Sequence, residues 1–202
     1  MTDPLRLHYA PDNASLCVRL LLERLEIPYQ TELVDRRNTG QKAPDYLVLN
    51  PNGLIPTLIT PTGPMFETGA ILLWLADQHP GTVFPAIDDP ARAKALTWLF
   101  WMSNTLHLSL RHIFYPDQYS PDPKALRKMA KERVQTLLHI ADANIAEIAP
   151  QTAITCYLAP MLRWVVLYGG RPGWLTEKKK KKPGPHPTAG RHPQTQVPLI
   201  SF

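Results

Sequence analysis

Apolar positions in the first eighty residues change period several times, and each change marks an element. Residues 5–9 read as a short strand; Pro11, Asp12 and Asn13 turn the chain, and Ser15 is placed to cap a helix over 15–25. In that helix Cys17, Val18, Leu21, Leu22 and Leu25 recur at helical spacing and form one apolar stripe. Pro28 ends it, residues 29–34 alternate as a second strand, and polar residues 36–44 form a loop. Asn52-Gly53 is a turn signal, and 54–60 is a strand with Pro56 near its start. Thr62-Gly63 turns the chain into a further strand over 64–66, and Thr68 opens a helix to 78. The order β-α-β followed by β-β-α defines an α/β unit over residues 1–79.

Beyond a linker at 80–88 the strand period disappears. Asp89-Pro90 and Asp122-Pro123 each pair an N-cap residue with proline at the first helical position. Behind the second, Leu126, Ala130, Val134, Leu137, Leu138, Ala141, Ile145 and Ile148 keep a three-four spacing. Residues 89–175 are therefore expected to be all helical. From 176 to 202 five lysines precede a proline-rich stretch without apolar periodicity, which reads as a disordered tail.

Composition changes this picture in three places. The net charge of +5 over 202 residues suggests polyanion binding until its position is read. Lys178, Lys179, Lys180, Lys181, Lys182 and Arg191, against Glu177, account for all of it, so the body is balanced and nucleic acid is not an expected partner. The longest apolar run, residues 70–76, is far too short to span a bilayer, and the N-terminus lacks the pattern of a secretory signal. Cys17 and Cys156 stand far apart without ligand spacing, which points to no metal site and to a reducing, cytoplasmic setting.

Three motifs, in order and at suitable spacing, resemble the cytosolic glutathione transferases, with a bacterial, beta- or theta-like character. They are LRLHYAPDNASLCVRLLLE, NPNGLIPTL and FETGAILLWLAD, followed by ARAKALTWLFWMSNTLHLSLRHIFYP, which resembles the first long helix of that family's helical domain. The resemblance implies a thioredoxin-like α/β domain joined to an all-α domain, a homodimer, and glutathione as co-substrate with no metal or redox cofactor. The activity it implies is transfer of the glutathione thiolate to a small hydrophobic electrophile. A catalytically weak glutathione-binding or interaction protein of the same fold is the alternative.

The same resemblance distributes roles among residues. Ser15 corresponds to the serine that stabilises the thiolate, although from the residues alone it reads as a helix cap; Asn13, at the same turn, is a second polar group able to donate to sulfur. Ala14 stands where beta-class members keep a cysteine, so mixed-disulfide chemistry at that position is absent. Cys17, on the apolar stripe, is expected to behave as a small hydrophobe. Tyr9 and Lys42 are carried over as glutathione contacts. A cis Ile55–Pro56 bond would free the Ile55 backbone for the cysteinyl part of glutathione, while Glu67 and Thr68 would hold the γ-glutamyl end. Asn104, His107, Leu108 and Arg111 would line the electrophile pocket, with Trp98 and Trp101 on the same helix. Thr152 and Thr155 occupy the positions of a capping box, with threonine replacing the usual carboxylate.

Overall fold

Four short strands form a mixed sheet in the order β2-β1-β3-β4, with β1 Leu5–Tyr9, β2 Tyr29–Leu33, β3 Thr57–Thr60 and β4 Gly63–Phe66. The computed structural model describes residues 4–169, with side chains through residue 167. Strands β1 and β2 run parallel with Leu7 opposite Thr31; β1 and β3 run antiparallel with Leu7 opposite Leu58. The parallel pair requires a crossover, supplied by α1 Ser15–Arg24, and β3 and β4 need only the turn at Thr62.

The expected apolar stripe of α1 is its buried face: Cys17, Val18, Leu21 and Leu22 are inaccessible, as are Leu7 and Leu58 of the sheet. Helix α3, Thr68–Asp77, adds Ile71, Leu72 and Leu75 to the same core. Burying side chains of this size contributes about 1.5–3 kcal/mol each, which offsets the ordering of short elements with little stability of their own.

Two details differ from the sequence reading near the site. Ser15 does not cap α1. Ala14 holds the cap position with helical angles, and the Oδ1 of Asn13 accepts from the Ser15 N–H at 3.2 Å. The 36–44 segment is not an open loop, because Arg36–Asn38 and Gly40–Lys42 form tight 3₁₀ turns and α2, Pro44–Leu49, follows directly. Asp35 caps the first turn by accepting from the Arg37 and Asn38 N–H groups.

The helical half comprises α4 Arg92–Trp101, α5 Leu108–Phe114, α6 Pro123–Ala143, α7 Ile145–Ile148 and α8 Thr152–Trp164. Between α4 and α5, Met102–His107 is wound as a π-helix, and the local widening interrupts what the sequence suggested was one regular helix. Asp122 caps α6 as expected, its Oδ1 accepting from Ala125 N–H at 3.0 Å. Asp89 does not cap α4: its Oδ1 accepts from Ala91 N–H at 2.8 Å within a turn, and the helix starts two residues later than Pro90. The 126–148 stripe breaks at Asn144, leaving Ile145 exposed while Ile148 remains buried. At the start of α8 the threonines form no capping box. The Ala153 N–H donates to the Val83 carbonyl at 2.9 Å, so a linker backbone group satisfies it instead.

Helix α8 packs against both α1 and α3 and carries Ile154, Tyr157 and Met161 into the interior. The proposed tail at 176–202 lies outside the described residues.

Candidate functional site

A cleft of about 1450 Å³ opens between the α/β elements and the helices, and its walls come from several separate stretches of the chain. Residues 11–14 before α1 form one edge, and the turn carrying Gln41 and Lys42 forms another. The bend at Gly53–Pro56 and the start of α3 at Glu67 and Thr68 lie opposite the π-helical segment and α5, while α6 and α8 complete the wall.

The bend before β3 is held from behind. Tyr46 Oη donates to the Leu54 carbonyl at 2.7 Å, and Asn50 Nδ2 donates to the same oxygen at 2.9 Å. The Ile55–Pro56 peptide is cis, and regular pairing of this segment with β1 begins only at Thr57. Gly53 has φ +60°, and a Cβ there would come within 2.7 Å of the Gln41 carbonyl and 2.9 Å of Lys42 Nζ. Only glycine allows this bend to close on the 41–42 turn. Gln41 Oε1 is buried without a partner among the described residues.

Glu67 ends the β4 side with φ +70° and ψ 112°, a conformation that costs a non-glycine residue about 1–3 kcal/mol. It occupies the N-cap of α3 without a side-chain capping bond, so the first N–H groups of that helix keep no side-chain acceptor from the cap. Its carboxylate is exposed on the cleft wall, and Thr68 beside it is 6% exposed.

Across the cleft, His107 Nδ1 lies 3.0 Å from Tyr157 Oη, and the two rings meet edge to face. Burial, with a smaller contribution from the Arg111 charge, pulls the His107 pKa down to about 4, so the ring is neutral near pH 7. Burial holds the Tyr157 phenol far above the usual tyrosine range, with the Thr68 side chain on the facing α3 start acting weakly in the opposite direction. Tyr157 thus connects α8 to both walls of the cleft. Trp164 contributes a buried indole whose Nε1 has no partner among the described residues.

Of the residues singled out from sequence, Asn13, Lys42, Ile55, Pro56, Glu67, Thr68, Asn104, His107, Leu108 and Arg111 come together on this cleft. Ser15 and Tyr9 do not line it. Ser15 is 2% exposed, and its hydroxyl donates to the Ala10 carbonyl at 3.2 Å and accepts from the Ala10 N–H at 3.4 Å. Tyr9 sits at the end of β1 opposite Leu33, and its carbonyl accepts from Val34 N–H. Trp98 and Trp101 stack edge to face away from the cleft, with Trp98 Nε1 donating to Glu147. Cys17 is fully buried and its thiol is pushed strongly upward by desolvation, so it acts as a core residue.

Arg36, Tyr115, Tyr119, Arg127, Tyr157 and Trp164 were missed. Arg36 and Tyr115 are bonded at 3.0 Å although 79 positions apart, a relation that no local spacing signals. Among the described residues, no group of three or more His, Cys, Asp or Glu side chains is arranged to hold a metal, and no helix is long and apolar enough to cross a membrane.

The small mixed sheet, cis-proline bend and helical half define a glutathione transferase fold, and comparison with known proteins agrees. The family model for the glutathione S-transferase N-terminal domain matches residues 14–78. The disulfide-bond oxidoreductase YfcG of Escherichia coli K12 is 30% identical over 148 residues, covering 69% of this chain and 67% of that protein. Glutathione S-transferase GstB of the same organism is 35% identical over 138 residues, and the match spans 65% of each chain, just under two thirds of GstB. The crystal structure of a glutathione transferase homolog from Sulfitobacter with bound glutathione superposes with TM-score 0.73 at 22% identity, covering 90% of this chain and 94% of the other. A family member from Pseudomonas fluorescens with two glutathione bound gives TM-score 0.74 at 22% identity, covering 89% and 84%. The chain belongs to the glutathione transferase family.

Proposed function

We propose that this protein binds glutathione in the cleft and transfers its thiolate to a small electrophile. The observation that carries the reading is the side-by-side position of the cis Ile55–Pro56 bend and the α3 start, where Glu67 is held at φ +70°. A γ-glutamyl carboxylate accepts from the first N–H groups of α3, and its ammonium donates to Glu67. The Ile55 backbone, ahead of the regular ladder, pairs with the cysteinyl backbone as an added strand. Lys42 reaches the glycyl carboxylate, and Gln41 Oε1 accepts from a glutathione amide.

This directs the thiol toward residues 11–14. Ser15 is committed to Ala10, so the activating group in this reading is Asn13: its Oδ1 is used by Ser15 N–H and its Nδ2 donates to sulfur. The thiol proton leaves to solvent; the thiolate forms a bond to the electrophilic carbon, and the leaving group departs with its bonding pair. Asn104, His107, Leu108 and Arg111 form the wall facing that carbon.

The similarity to YfcG favours a second use of the same thiolate: attack on a disulfide, releasing the other sulfur as a thiolate. No cysteine lies among the described residues lining the cleft, so the sulfur chemistry would be that of glutathione. Assembly as a homodimer belongs to the same proposal. Calorimetry with glutathione, followed by parallel assays with 1-chloro-2,4-dinitrobenzene and a small dialkyl disulfide, tests the reading. Saturable binding with turnover of the aryl halide supports conjugation, turnover of the disulfide alone favours exchange, and absence of binding refutes both.

A further inference from the structure

Away from the glutathione end, the cleft turns basic and aromatic. Arg36, Arg111, Arg127 and Lys131 line this part, whereas the only carboxylates on the described lining are Asp12 and Glu67. Asp12 is paired with Arg163 at 3.4 Å, and Glu67 stands at the α3 start. None of the four cations forms an ion pair with a described carboxylate. Three of them are nevertheless fixed by neutral partners. Arg111 Nε donates to Tyr119 Oη at 2.6 Å, and its guanidinium lies 5.5 Å from the Tyr115 ring centroid and 5.8 Å from that of Tyr119. Arg36 donates to Tyr115 Oη at 3.0 Å from the opposite wall, and Arg127 Nε donates to the Ile113 carbonyl at 3.0 Å.

Guanidinium groups stacked on tyrosines and bonded through one edge have lost much of their freedom while retaining full charge and further donors. These three arginines and Lys131, with no carboxylate paired to them among the described residues, repel one another, a cost that an anion would reverse. The cleft lining also holds the indole of Trp164, whose N–H has no partner among the described residues, beside Phe114 and His107. Aromatic faces and forked donors together suit a planar ligand bearing a carboxylate or similar oxyanion.

We propose that the second substrate is an organic anion, an aryl or short apolar body bearing a carboxylate-type group held by Arg111, Arg36, Arg127 and Lys131. The proposal rests on the reading of the cleft as a glutathione site, and the test separates the two. Affinities are measured by calorimetry for the glutathione conjugates of 1-chloro-2,4-dinitrobenzene and 4-chloro-3,5-dinitrobenzoate, and for free 3,5-dinitrobenzoate and 1,3-dinitrobenzene. The conjugate with the ring carboxylate is expected to bind at least about tenfold more tightly than the one without it at low salt. That advantage should shrink toward unity in the Arg111→Gln/Arg127→Gln/Lys131→Gln variant and at high salt, while affinity for glutathione alone changes little. Equal affinities of the two conjugates, or an advantage that survives the triple substitution, would overturn the anion site and leave glutathione binding intact. If glutathione fails to bind but free dinitrobenzoate still binds more tightly than dinitrobenzene through the same arginines, the anion site stands and the glutathione reading falls.

Discussion

Ser15 and Ala10 close a two-bond ring at the end of β1: the hydroxyl donates to the Ala10 carbonyl at 3.2 Å and accepts from its N–H at 3.4 Å. Both partners are buried, so the hydroxyl joins β1 to the start of α1. Ser15→Ala leaves a buried N–H and a buried C=O without this partner. The expected loss of stability is about 1–3 kcal/mol, read as a lower urea midpoint with unchanged slope. An unchanged midpoint would show that the ring contributes nothing to the fold.

Glu67 offers the reverse trade. Its φ of +70° is available to glycine at little cost, so Glu67→Gly should relieve strain and raise stability by up to about 1 kcal/mol. Glutathione affinity should fall by about 1.5–3 kcal/mol, the value of a charge-assisted bond to the ammonium. Thermal melting and calorimetry on the same sample check the two signs together. A melting temperature that falls with unchanged affinity would make Glu67 a structural residue only.

The His107 ring supplies an acid-side prediction. Its folded pKa of about 4 lies below the ordinary 6.5, so protons favour the unfolded chain. The stabilising effect of keeping the ring neutral is complete above pH 6.5 and is lost as the pH falls toward 4. The corresponding change in unfolding free energy is at most about 3 kcal/mol. His107→Gln, which keeps a polar partner for Tyr157, should flatten the stability profile across this window. Part of the slope should remain, because burial also lowers the pKa of His8. An identical profile for variant and wild type would contradict the assignment.

Much of this architecture is written locally in the chain. The α1 stripe, the Asp122-Pro123 start and the β3–β4 turn each depend on neighbours within a few positions, and each appears where expected. Helix α2 escaped because only Tyr46 of its six residues is buried, so no apolar period announces it. Ser15 escaped for a different reason. A serine at a helix start looks the same whether it caps that helix or binds the strand before it, and only the fold decides. The basic wall was hidden more deeply still, since Arg36 reaches Tyr115, the ring that Arg111 also faces, only after the α/β and helical segments have packed.

The central claim is that the cleft holds glutathione with its sulfur at Asn13, and the ultraviolet thiolate band of the bound complex tests it most directly. Titrated against pH, wild-type complex should show a thiol pKa below the ordinary value of about 8.5. Asn13→Ala should raise it by about one to two units, the equivalent of one hydrogen bond to a charged sulfur, with glutathione affinity little changed. Ser15→Ala, if folded, should leave the band where it is in wild type. A band that is unshifted in wild type, or that moves with Ser15→Ala and not with Asn13→Ala, would contradict the account.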